Sequence, residues 1–344
     1  MKKRILIVQT AFLGDVILIT PLIKAAKKLF PESMLDVLVI PQTYEVLQHN
    51  LYINEILIFD KRKNKILNFL KTLFLLRKRH YDIALLPHSS MTTSFLTFFS
   101  HIKTRIGFGR WLSSSLLTHR IPFRKRVHRI EKNLDLLKPF SVEKFDVQTE
   151  LFPDIYEIES TEHLLSELDP YKKKIALAPG SIWHTKRWLE SYYKKLAQKL
   201  VEAGFSIVLV GSPEEKELCE RIKPMSDTIN VAGKTSVLES ATILKNCDLL
   251  ICNDCGALHL ANAMKTDVFA IFGPTIKDFG YYPFRKNDHI FEVELSCRPC
   301  GSHGQMKCPL GHHNCMKLIE PEMVFFKIIN YLKKSNDFLL INHE

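Results

Sequence analysis

Residue types that could do chemistry lie in short turns after apolar, β-branched runs. The first turn, Gln9–Asp15, follows the run Arg4–Thr10. Gly14 permits a tight backbone in this turn, and Asp15 stands where a carboxylate could act as a general base and take a proton from a hydroxyl group. The alternative is that Asp15 only caps the N-terminus of the next helix, and its spacing alone favours this cap.

A second turn, Ala178–Trp188, is basic and also follows an apolar run. Gly180 and Ser181 belong to a Pro-Gly-Ser turn whose backbone N–H groups could face an anion, and Lys186 and Arg187 add positive charge that suits a phosphate. The alternative is a solvated basic loop between packed tryptophans. The position directly after a strand favours phosphate binding.

A third turn, Asn253–His259, joins an apolar run to a helix. The N-terminus of a helix binds phosphate through free N–H groups and the helix dipole. A histidine one turn into such a helix is more often structural. Cys252 and Cys255 have the spacing of a redox dithiol, but the pair straddles a strand end and lacks the usual Gly-Pro interior. The candidates for ligand contact are Asp254, Cys255, Gly256 and His259.

Two further turns of the same region also join strands to helices. The turn Gly211–Glu215 offers two carboxylates, which could hold ribose hydroxyls or could equally interact with the helix dipole. The turn Val231–Thr235 is similar in kind. The candidate residues in these turns are Glu214, Glu215, Gly233, Lys234 and Thr235.

Four of the eight cysteines are clustered late in the chain, with three histidines among them. In a cytosolic protein such a cluster indicates zinc more than disulfide bonds, although its gaps are not those of a standard zinc finger. Two interpretations remain, a structural zinc site and reduced thiols in a compact loop. The four residues are Cys297, Cys300, Cys308 and Cys315.

The elements that must position these turns alternate between strand and helix in two series. The first series includes a helix over Asp15–Phe30, and the second includes a strand over Asn230–Ala232. Such alternation predicts parallel sheets wrapped by helices, with ligands at the carboxyl ends of the strands and in a cleft between the two units. The acidic stretch 151–174 interrupts the alternation. We therefore predict domains over 1–160 and 161–320, with a Cys-rich segment at 297–315, and a C-terminal helix and tail over 321–344.

Length and composition bound the class of protein. The chain has 344 residues, 46% hydrophobic and 25% charged, which is typical of a folded globular protein and excludes a disordered one. No apolar run approaches the ~18 residues of a membrane-spanning helix. The basic start, Met1–Arg4, leads into a short strand rather than into a signal peptide. We therefore predict a cytoplasmic protein.

The net charge of +11 is unevenly divided. Residues 1–150 hold 25 basic and 12 acidic side chains (+13), whereas residues 151–344 hold 23 and 25 (−2). This asymmetry indicates an anionic partner for the first part of the chain. A nucleic-acid-binding protein would also be basic, but no recognisable module with interleaved aromatic and basic residues is present.

In their order and spacing these motifs resemble glycosyltransferase family 9, the ADP-heptose–lipopolysaccharide heptosyltransferases. Leu13–Asp15 is similar to the N-terminal signature of the family, and Lys186–Trp188, Ala232–Thr235 and Asn253–His259 are similar to its C-terminal signatures. The Cys-rich segment resembles the heptosyltransferase II branch. The resemblance implies an α/β GT-B fold, with two facing Rossmann-like doubly wound domains and an interdomain cleft, and inverting transfer without a catalytic metal.

The resemblance also implies roles for individual residues. Asp15 would be the general base on the acceptor hydroxyl, and Lys186 would contact the pyrophosphate of the donor. At Cys255 the family commonly has serine or threonine, so a hydroxyl contact to phosphate is in doubt there. The other expected donor-binding residues are Gly180, Ser181, Arg187, Glu214, Glu215, Gly233, Lys234, Thr235, Asp254, Gly256 and His259.

The first domain would bind the acceptor, heptosyl-Kdo2-lipid A of the lipopolysaccharide inner core, whose phosphates and carboxylates match the positive charge. The expected partners are ADP-L-glycero-D-manno-heptose, this acceptor and the anionic inner face of the cytoplasmic membrane. We expect a monomer that needs no cofactor and binds no nucleic acid. The expected acceptor-binding residues are Gly14, Arg105, Arg110, Arg124 and Arg126.

Three alternatives remain at this point. The chain could be a family 9 transferase with another donor or acceptor, such as a heptosyltransferase I or III. It could be a non-catalytic scaffold that binds a nucleotide sugar. In a different class, it could be the basic nucleic-acid-binding protein considered above.

Overall fold

A computed structural model of the chain describes residues 2–88, 90–109 and 112–341. It divides into two compact units. Unit 1 consists of Met1–Asp154 and Asp278–Tyr281, and unit 2 consists of Ile155–Lys277 and Tyr282–Glu344. The units therefore divide before the predicted boundary at residue 160, which falls inside a helix, Ile155–Leu165.

Unit 1 is built on a parallel sheet of six strands in the order β3-β2-β1-β4-β5-β6. This is the doubly wound Rossmann order, in which helices cover both faces of the sheet. The central strands are buried, apolar runs because both of their faces are covered. The strands are β1 (Arg4–Val8), β2 (Met34–Val39), β3 (Glu55–Ile58), β4 (Ile83–Leu86), β5 (Thr104–Phe108) and β6 (His119–Ile121), and the helices are α1 (Leu13–Ile17), α2 (Thr20–Leu29), α3 (Lys65–Arg79), α4 (Met91–Phe99) and α5 (Arg129–Leu134).

Unit 2 repeats this topology, with the order β12-β11-β10-β7-β8-β9, again all parallel. Its strands are β7 (Lys174–Ala178), β8 (Ser206–Leu209), β9 (Thr228–Asn230), β10 (Leu249–Asn253), β11 (Val268–Ile271) and β12 (His289–Phe291). Its helices are α6 (Ile155–Leu165), α7 (Glu190–Glu202), α8 (Lys216–Ile222), α9 (Val237–Lys245), α10 (Gly256–Ala263), α11 (Asn314–Lys317) and α12 (Pro321–Ile341). The predicted α/β class with two doubly wound units is thus confirmed.

Several sequence predictions need correction. The helix expected over Asp15–Phe30 is two helices, α1 and α2, with Pro21 at the start of the second. The acidic stretch 151–174 contains α6, which packs against α9. The strand expected over Asn230–Ala232 lies earlier in the sequence, as β9. The edge strands β6 and β12 were not predicted, because each has three residues with polar members and lacks a clear apolar pattern.

The C-terminal helix is not a separate part of the molecule. Val324, Ile328 and Leu332 of α12 belong to the buried core of unit 2, and the helix packs against α7. The helix predicted within 321–344 is confirmed over Pro321–Ile341, but it belongs to unit 2 and is not a separate segment. Within the described ranges, no helix combines the length and the apolar character needed to cross a bilayer.

Candidate functional site

Asp15 lies in the first turn of α1, which follows β1 at the carboxyl edge of the sheet of unit 1. The N-cap of α1 is Phe12, and Asp15 is inside the helix, so the alternative in which Asp15 caps the helix is wrong. The hydroxyl of Tyr281 donates a hydrogen bond of 3.0 Å to Oδ1 of the half-buried Asp15. Tyr281 belongs to Asp278–Tyr281, the short segment that returns to unit 1. Sequence reasoning missed Tyr281, since no local motif marks it.

His88 lies near Asp15 and feels the charges of two cations, Lys61 and Arg129. Burial lowers the pKa of His88, the negative charge of Asp15 opposes this, and the positive charges of Lys61 and Arg129 add to it. Lys61 donates to the carbonyl of Thr10 at 2.6 Å, and Arg129 donates to the carbonyl of Pro87 at 2.7 Å. His88 Nδ1 is buried and has no hydrogen-bond partner among the described residues. Asp15, Lys61 and His88 follow β1, β3 and β4, whose carboxyl ends meet at one edge because the strands are parallel. Arg129 is the first residue of α5.

The arginines predicted to bind an acceptor are mostly paired within unit 1. Arg105 donates to the carbonyls of Leu116 and Ile102. Arg124 donates to Oδ2 of Asp135 at 2.6 Å, and Arg126, whose side chain is largely exposed, pairs with Asp278 at 3.1 Å. Gly14 lies in α1 beside Asp15. Arg110 lies outside the described residues.

In unit 2, Asn253 at the end of β10 holds two turns together. Its fully buried side chain accepts a hydrogen bond from the backbone N–H of Trp188 at 2.9 Å. The same amide donates to the carbonyls of Pro179 and Gly180 at 2.8 and 3.1 Å. Asn253 begins the predicted turn Asn253–His259, but sequence reasoning assigned it no role. It fixes the basic turn after β7 against the turn after β10.

Lys186 and Asp254 form a largely buried ion pair at this junction. Lys186 Nζ lies 2.6 Å from Oδ2 of Asp254, and the hydroxyl of Thr275 donates to the same oxygen at 2.7 Å. An ammonium group has three N–H donors, so the pair orients Lys186 and leaves donors for an anion. Sequence reasoning missed Thr275, which lies outside all five turns.

Helix α10 begins two residues after Asp254. Cys255 occupies the N-cap position without a side-chain capping bond, and Gly256 is the first helical residue. The N–H groups of the first turn have no partner within the helix, which suits an anion. His259 is buried on this helix, as expected for a structural histidine. Burial raises the pKa of the Cys252 thiol well above its usual range, which disfavours a redox thiolate.

The two carboxylates after β8 have different surroundings. Glu215 accepts the backbone N–H of Ser212 at 2.9 Å in a capping box, and it packs so closely on Gly180 that a Cβ there would lie 1.9 Å from its carboxyl carbon. Glu214 is exposed, and a hydrogen bond from Ser212 holds its pKa below the usual value. Glu214 lines an open pocket of about 270 Å³ together with Arg187. Arg187 also donates to the carbonyl of Ser181 at 2.7 Å. Glu214 therefore lies exposed at a pocket, whereas the carboxylate of Glu215 is held by the backbone of its own turn.

The turn after β9 lies beside the turn after β8. The N–H of Gly233 donates to the carbonyl of Gly211 at 3.0 Å. Gly233 has φ +70°, and a Cβ there would lie 2.8 Å from Cα of Pro213, so both the conformation and the space require glycine. Thr235 and Ser240 form a hydroxyl hydrogen bond of 2.8 Å, and Lys234 is exposed. The structure thus brings the predicted turns of unit 2 to one edge of its sheet.

The Cys-rich segment 297–315 packs against the turn Ala178–Trp188, which we call the Lys186 turn. Gln305 and Thr185 exchange hydrogen bonds of 2.7 to 3.0 Å, and His313 Nε2 lies 2.9 Å from the carbonyl of Thr185. A Cβ at Gly304 would lie 2.5 Å from Cβ of Trp183 and 2.9 Å from Cγ of Lys186. The segment therefore packs directly on the loop that carries Lys186.

The four clustered cysteines are free thiols. Zn–S bonds of about 2.3 Å would place tetrahedral sulfurs about 3.8 Å apart. No three of these sulfurs lie within 4.8 Å of one another in the described chain. Of the two interpretations of Cys297, Cys300, Cys308 and Cys315, the observed geometry does not fit a structural zinc site and is compatible with reduced thiols.

The fold is shared with solved structures of one class of enzyme. A glycosyl transferase of family 9 from Veillonella parvula superposes with a TM-score of 0.86 at 21% identity, covering 97% of this chain and 98% of that one. The ADP-heptose lipopolysaccharide heptosyltransferase II of Escherichia coli superposes with a TM-score of 0.80 at 21% identity, covering 98% and 100%. At these identities the likeness concerns the fold.

The sequence itself establishes the family. The sequence model of glycosyltransferase family 9 (heptosyltransferase) matches residues 70–310, and the chain belongs to this family. The lipooligosaccharide heptosyltransferase 2 of Campylobacter jejuni is 35% identical over 172 residues, which are 48% of this chain. That match spans about half of the relative's length, 53%.

Proposed function

We propose that the chain is an inverting glycosyltransferase that transfers heptose from ADP-L-glycero-D-manno-heptose to the inner core of lipopolysaccharide. The observation that carries this proposal is that a chain of family 9 holds one carboxylate and one ammonium group in fixed orientations. Unit 1 offers the Asp15 carboxylate, held by Tyr281, and unit 2 offers Lys186, held by Asp254. A base and a cation are the two groups that inverting transfer from a diphosphate requires.

In the proposed reaction, the acceptor hydroxyl oxygen bonds to the anomeric carbon of the donor heptose. Asp15 takes the hydroxyl proton, and the bond between the anomeric carbon and the diphosphate oxygen breaks. ADP then leaves with the bonding electrons, and its added negative charge is stabilised by Lys186 and by the N–H groups at the start of α10. Because attack and departure occur on opposite sides, the configuration at the anomeric carbon inverts.

We infer separate tasks for the two units. Unit 2 would bind the donor, with its diphosphate near Lys186 and Gly256 and a ribose hydroxyl at Glu214, beside the pocket that Arg187 also lines. Unit 1 would bind the acceptor. The anionic groups of the acceptor would meet the positive charge near His88, to which Lys61 and Arg129 contribute.

Among the family 9 activities we propose that of a heptosyltransferase II. The match to the Campylobacter jejuni protein and the Cys-rich segment support this choice. The alternatives are heptosyltransferases I and III, which use a shorter or a longer acceptor. The protein would act at the inner face of the cytoplasmic membrane as a monomer, and the proposed chemistry has no step that uses a cofactor.

The test is incubation of the protein with ADP-heptose and core acceptors of increasing length, read by mass shift. We expect addition of one heptose to heptosyl-Kdo2-lipid A and none to Kdo2-lipid A. Addition to Kdo2-lipid A would indicate a heptosyltransferase I, and addition only to a longer core would indicate a heptosyltransferase III. Donor binding without transfer to any acceptor would contradict the enzymatic proposal and favour a binding scaffold.

A further inference from the structure

The positive charge of the chain is concentrated in one segment of unit 1. Residues 61–130 contain sixteen lysines and arginines and one acidic residue, Asp82. The segment therefore carries +15, more than the whole chain's +11, and the remainder of the chain is slightly acidic. It includes both α3 and α4, neither of which contains an acidic side chain.

Helix α4 has its polar and apolar sides reversed relative to an ordinary surface helix. Thr93, Ser94 and Thr97 point into the protein, where the hydroxyl of Thr97 donates to the carbonyls of Thr93 and Ser94. Its outer side carries Met91, Phe95, Phe98 and Phe99, all substantially exposed. A surface helix normally buries its apolar stripe and exposes polar side chains.

Helix α3 is apolar on two sides. Leu73 and Leu76 face the core that they share with Leu96 of α4. On the outer side, Ile66, Leu67, Leu70 and Phe74 are exposed, with Ile66 at 79% and Phe74 at 61%. Residues 66, 70 and 74 lie one above another, as do 91, 95 and 99 on α4, because residues four apart share a helix face. We call these eight side chains the α3–α4 apolar face: Ile66, Leu67, Leu70, Phe74, Met91, Phe95, Phe98 and Phe99.

The two helices form one surface with basic residues around it. They pack against each other, and Nε of Arg77 on α3 donates to the carbonyl of Phe99 on α4 at 2.8 Å. The guanidinium of Arg105 lies over the ring of Phe98, 5.3 Å from its centroid. Lys71 and Lys78 are exposed on α3. Large apolar side chains bordered by lysine and arginine are the pattern of a helix that lies in the headgroup region of an anionic membrane.

We propose that the α3–α4 apolar face docks onto an anionic lipid bilayer, with its phenylalanine and aliphatic side chains below the headgroups and Lys71 and Lys78 at the lipid phosphates. The surrounding charge favours this occupant over a second copy of the chain, since a two-fold contact would bring two +15 segments together. A nucleic acid would match the charge but not the eight apolar side chains. The inference rests on the proposed function only in that a lipid-linked acceptor would be reached at such a surface.

The experiment is sedimentation of the full chain with vesicles of phosphatidylglycerol and phosphatidylcholine, and with vesicles of phosphatidylcholine alone. We expect binding to the anionic vesicles, weakened by salt, and at least about 10-fold weaker binding after the double substitution Ile66→Ser and Phe74→Ser. Phe74→Leu should keep binding. The matched control is Phe326→Ser on α12, since Phe326 is 63% exposed and should not contribute.

Two measurements separate this inference from the proposed transfer reaction. Thermal melts establish that the variants remain folded. Transfer to a water-soluble, delipidated core oligosaccharide should be unchanged in the double variant if the substitutions weaken only membrane binding. Equal vesicle binding by the wild-type chain and the double variant would overturn the inference, as would dimerisation through this face or an absence of vesicle binding by the wild-type chain.

Discussion

Tyr281 donates a hydrogen bond of 3.0 Å to Asp15 across 266 positions of sequence, within the same compact unit. The bond orients the carboxylate. Tyr281→Phe removes only the hydroxyl. Because a hydrogen bond to a charged group contributes about 1.5–3 kcal/mol, we expect kcat to fall roughly 10-fold or more, with little change in KM for the donor. Steady-state kinetics with saturating acceptor measures both. Tyr171→Phe, at a fully exposed tyrosine, is the control, and an unchanged kcat in Tyr281→Phe would refute the positioning role.

The role of Asp15 itself is tested by Asp15→Ala. Loss of a general base should lower the transfer rate by at least about 10²-fold, while ADP binding should remain close to that of the wild-type chain. Radiolabelled transfer and calorimetric titration with ADP measure the two properties separately. A parallel loss of ADP binding and of thermal stability would instead indicate that Asp15 serves the fold.

Breaking the Lys186–Asp254 pair should affect both donor binding and the free energy of unfolding. Lys186→Ala should weaken donor binding and turnover together, by about 10–100-fold, since it removes the cation proposed at the diphosphate. It also leaves the buried Asp254 carboxylate without its cation, and breaking such a pair costs about 3–5 kcal/mol when it is fully buried. Because these side chains retain slight exposure, the measured loss of unfolding free energy should lie below that range.

A double-mutant cycle distinguishes the two effects of this pair. Adding Asp254→Asn to a Lys186→Met chain removes the unpaired charge, so unfolding free energy should partly recover. Donor affinity should stay low, because the cation is still missing. Chemical denaturation and ADP titration report the two quantities. If donor affinity recovered together with stability, Lys186 would not contact the donor.

The Cys-rich segment should influence donor binding through packing. Gly304→Ala would place a methyl group 2.5 Å from Cβ of Trp183 and 2.9 Å from Cγ of Lys186. The loop must move to admit it, so we expect a higher KM for the donor and a loss of about 1–3 kcal/mol in unfolding free energy. Gly311→Ala is the matched control in the same segment, since its Cβ would meet open space and only its positive φ would add strain. Equal KM values for the two variants would contradict the packing role.

Asp288 should give unit 2 a pH-dependent stability. Burial raises the pKa of Asp288 from 3.8 to about 6. Between these values the folded chain holds a proton that the unfolded chain has released, so the free energy of unfolding should fall as the pH rises through this window. Denaturant titrations across the window should show a flatter pH dependence for Asp288→Asn. Glu167→Gln, at an exposed carboxylate, serves as control, and identical slopes for wild type and Asp288→Asn would refute the prediction.

The parts of the fold that could be predicted from sequence have local causes. Buried parallel strands are covered on both faces. The strands β1, β7 and β10 are therefore mostly apolar, and this pattern predicts them from the sequence. The edge strands β6 and β12 have a neighbouring strand on one side only and carry polar residues, so they were missed. Helix α6 lies in an acidic stretch without a clear apolar pattern, and its packing against α9 is visible only in the tertiary structure.

Some residues of the candidate site could likewise be predicted from the sequence, and others could not. The turns that carry Asp15, Lys186 and Asp254 could be found from sequence, because each follows a strand and contains a glycine or a charged residue at a helix start. Tyr281 and Thr275 could not be found, since each touches its partner across a long stretch of chain. Arg105 and Arg124 were predicted to bind an acceptor from their charge alone, and sequence could not show the carbonyls and the carboxylate that occupy them.

By itself the sequence determined the α/β class with two doubly wound units, the family resemblance and the concentration of positive charge in the first part of the chain. These properties depend on the order of residues and on local periodicity. Only the tertiary structure decided which residues orient Asp15 and Lys186, that the Cys-rich segment packs on the Lys186 turn, and that α3 and α4 leave apolar sides exposed. The reason is physical: contacts between distant residues and the exposure of a helix face follow from packing, which no local pattern encodes.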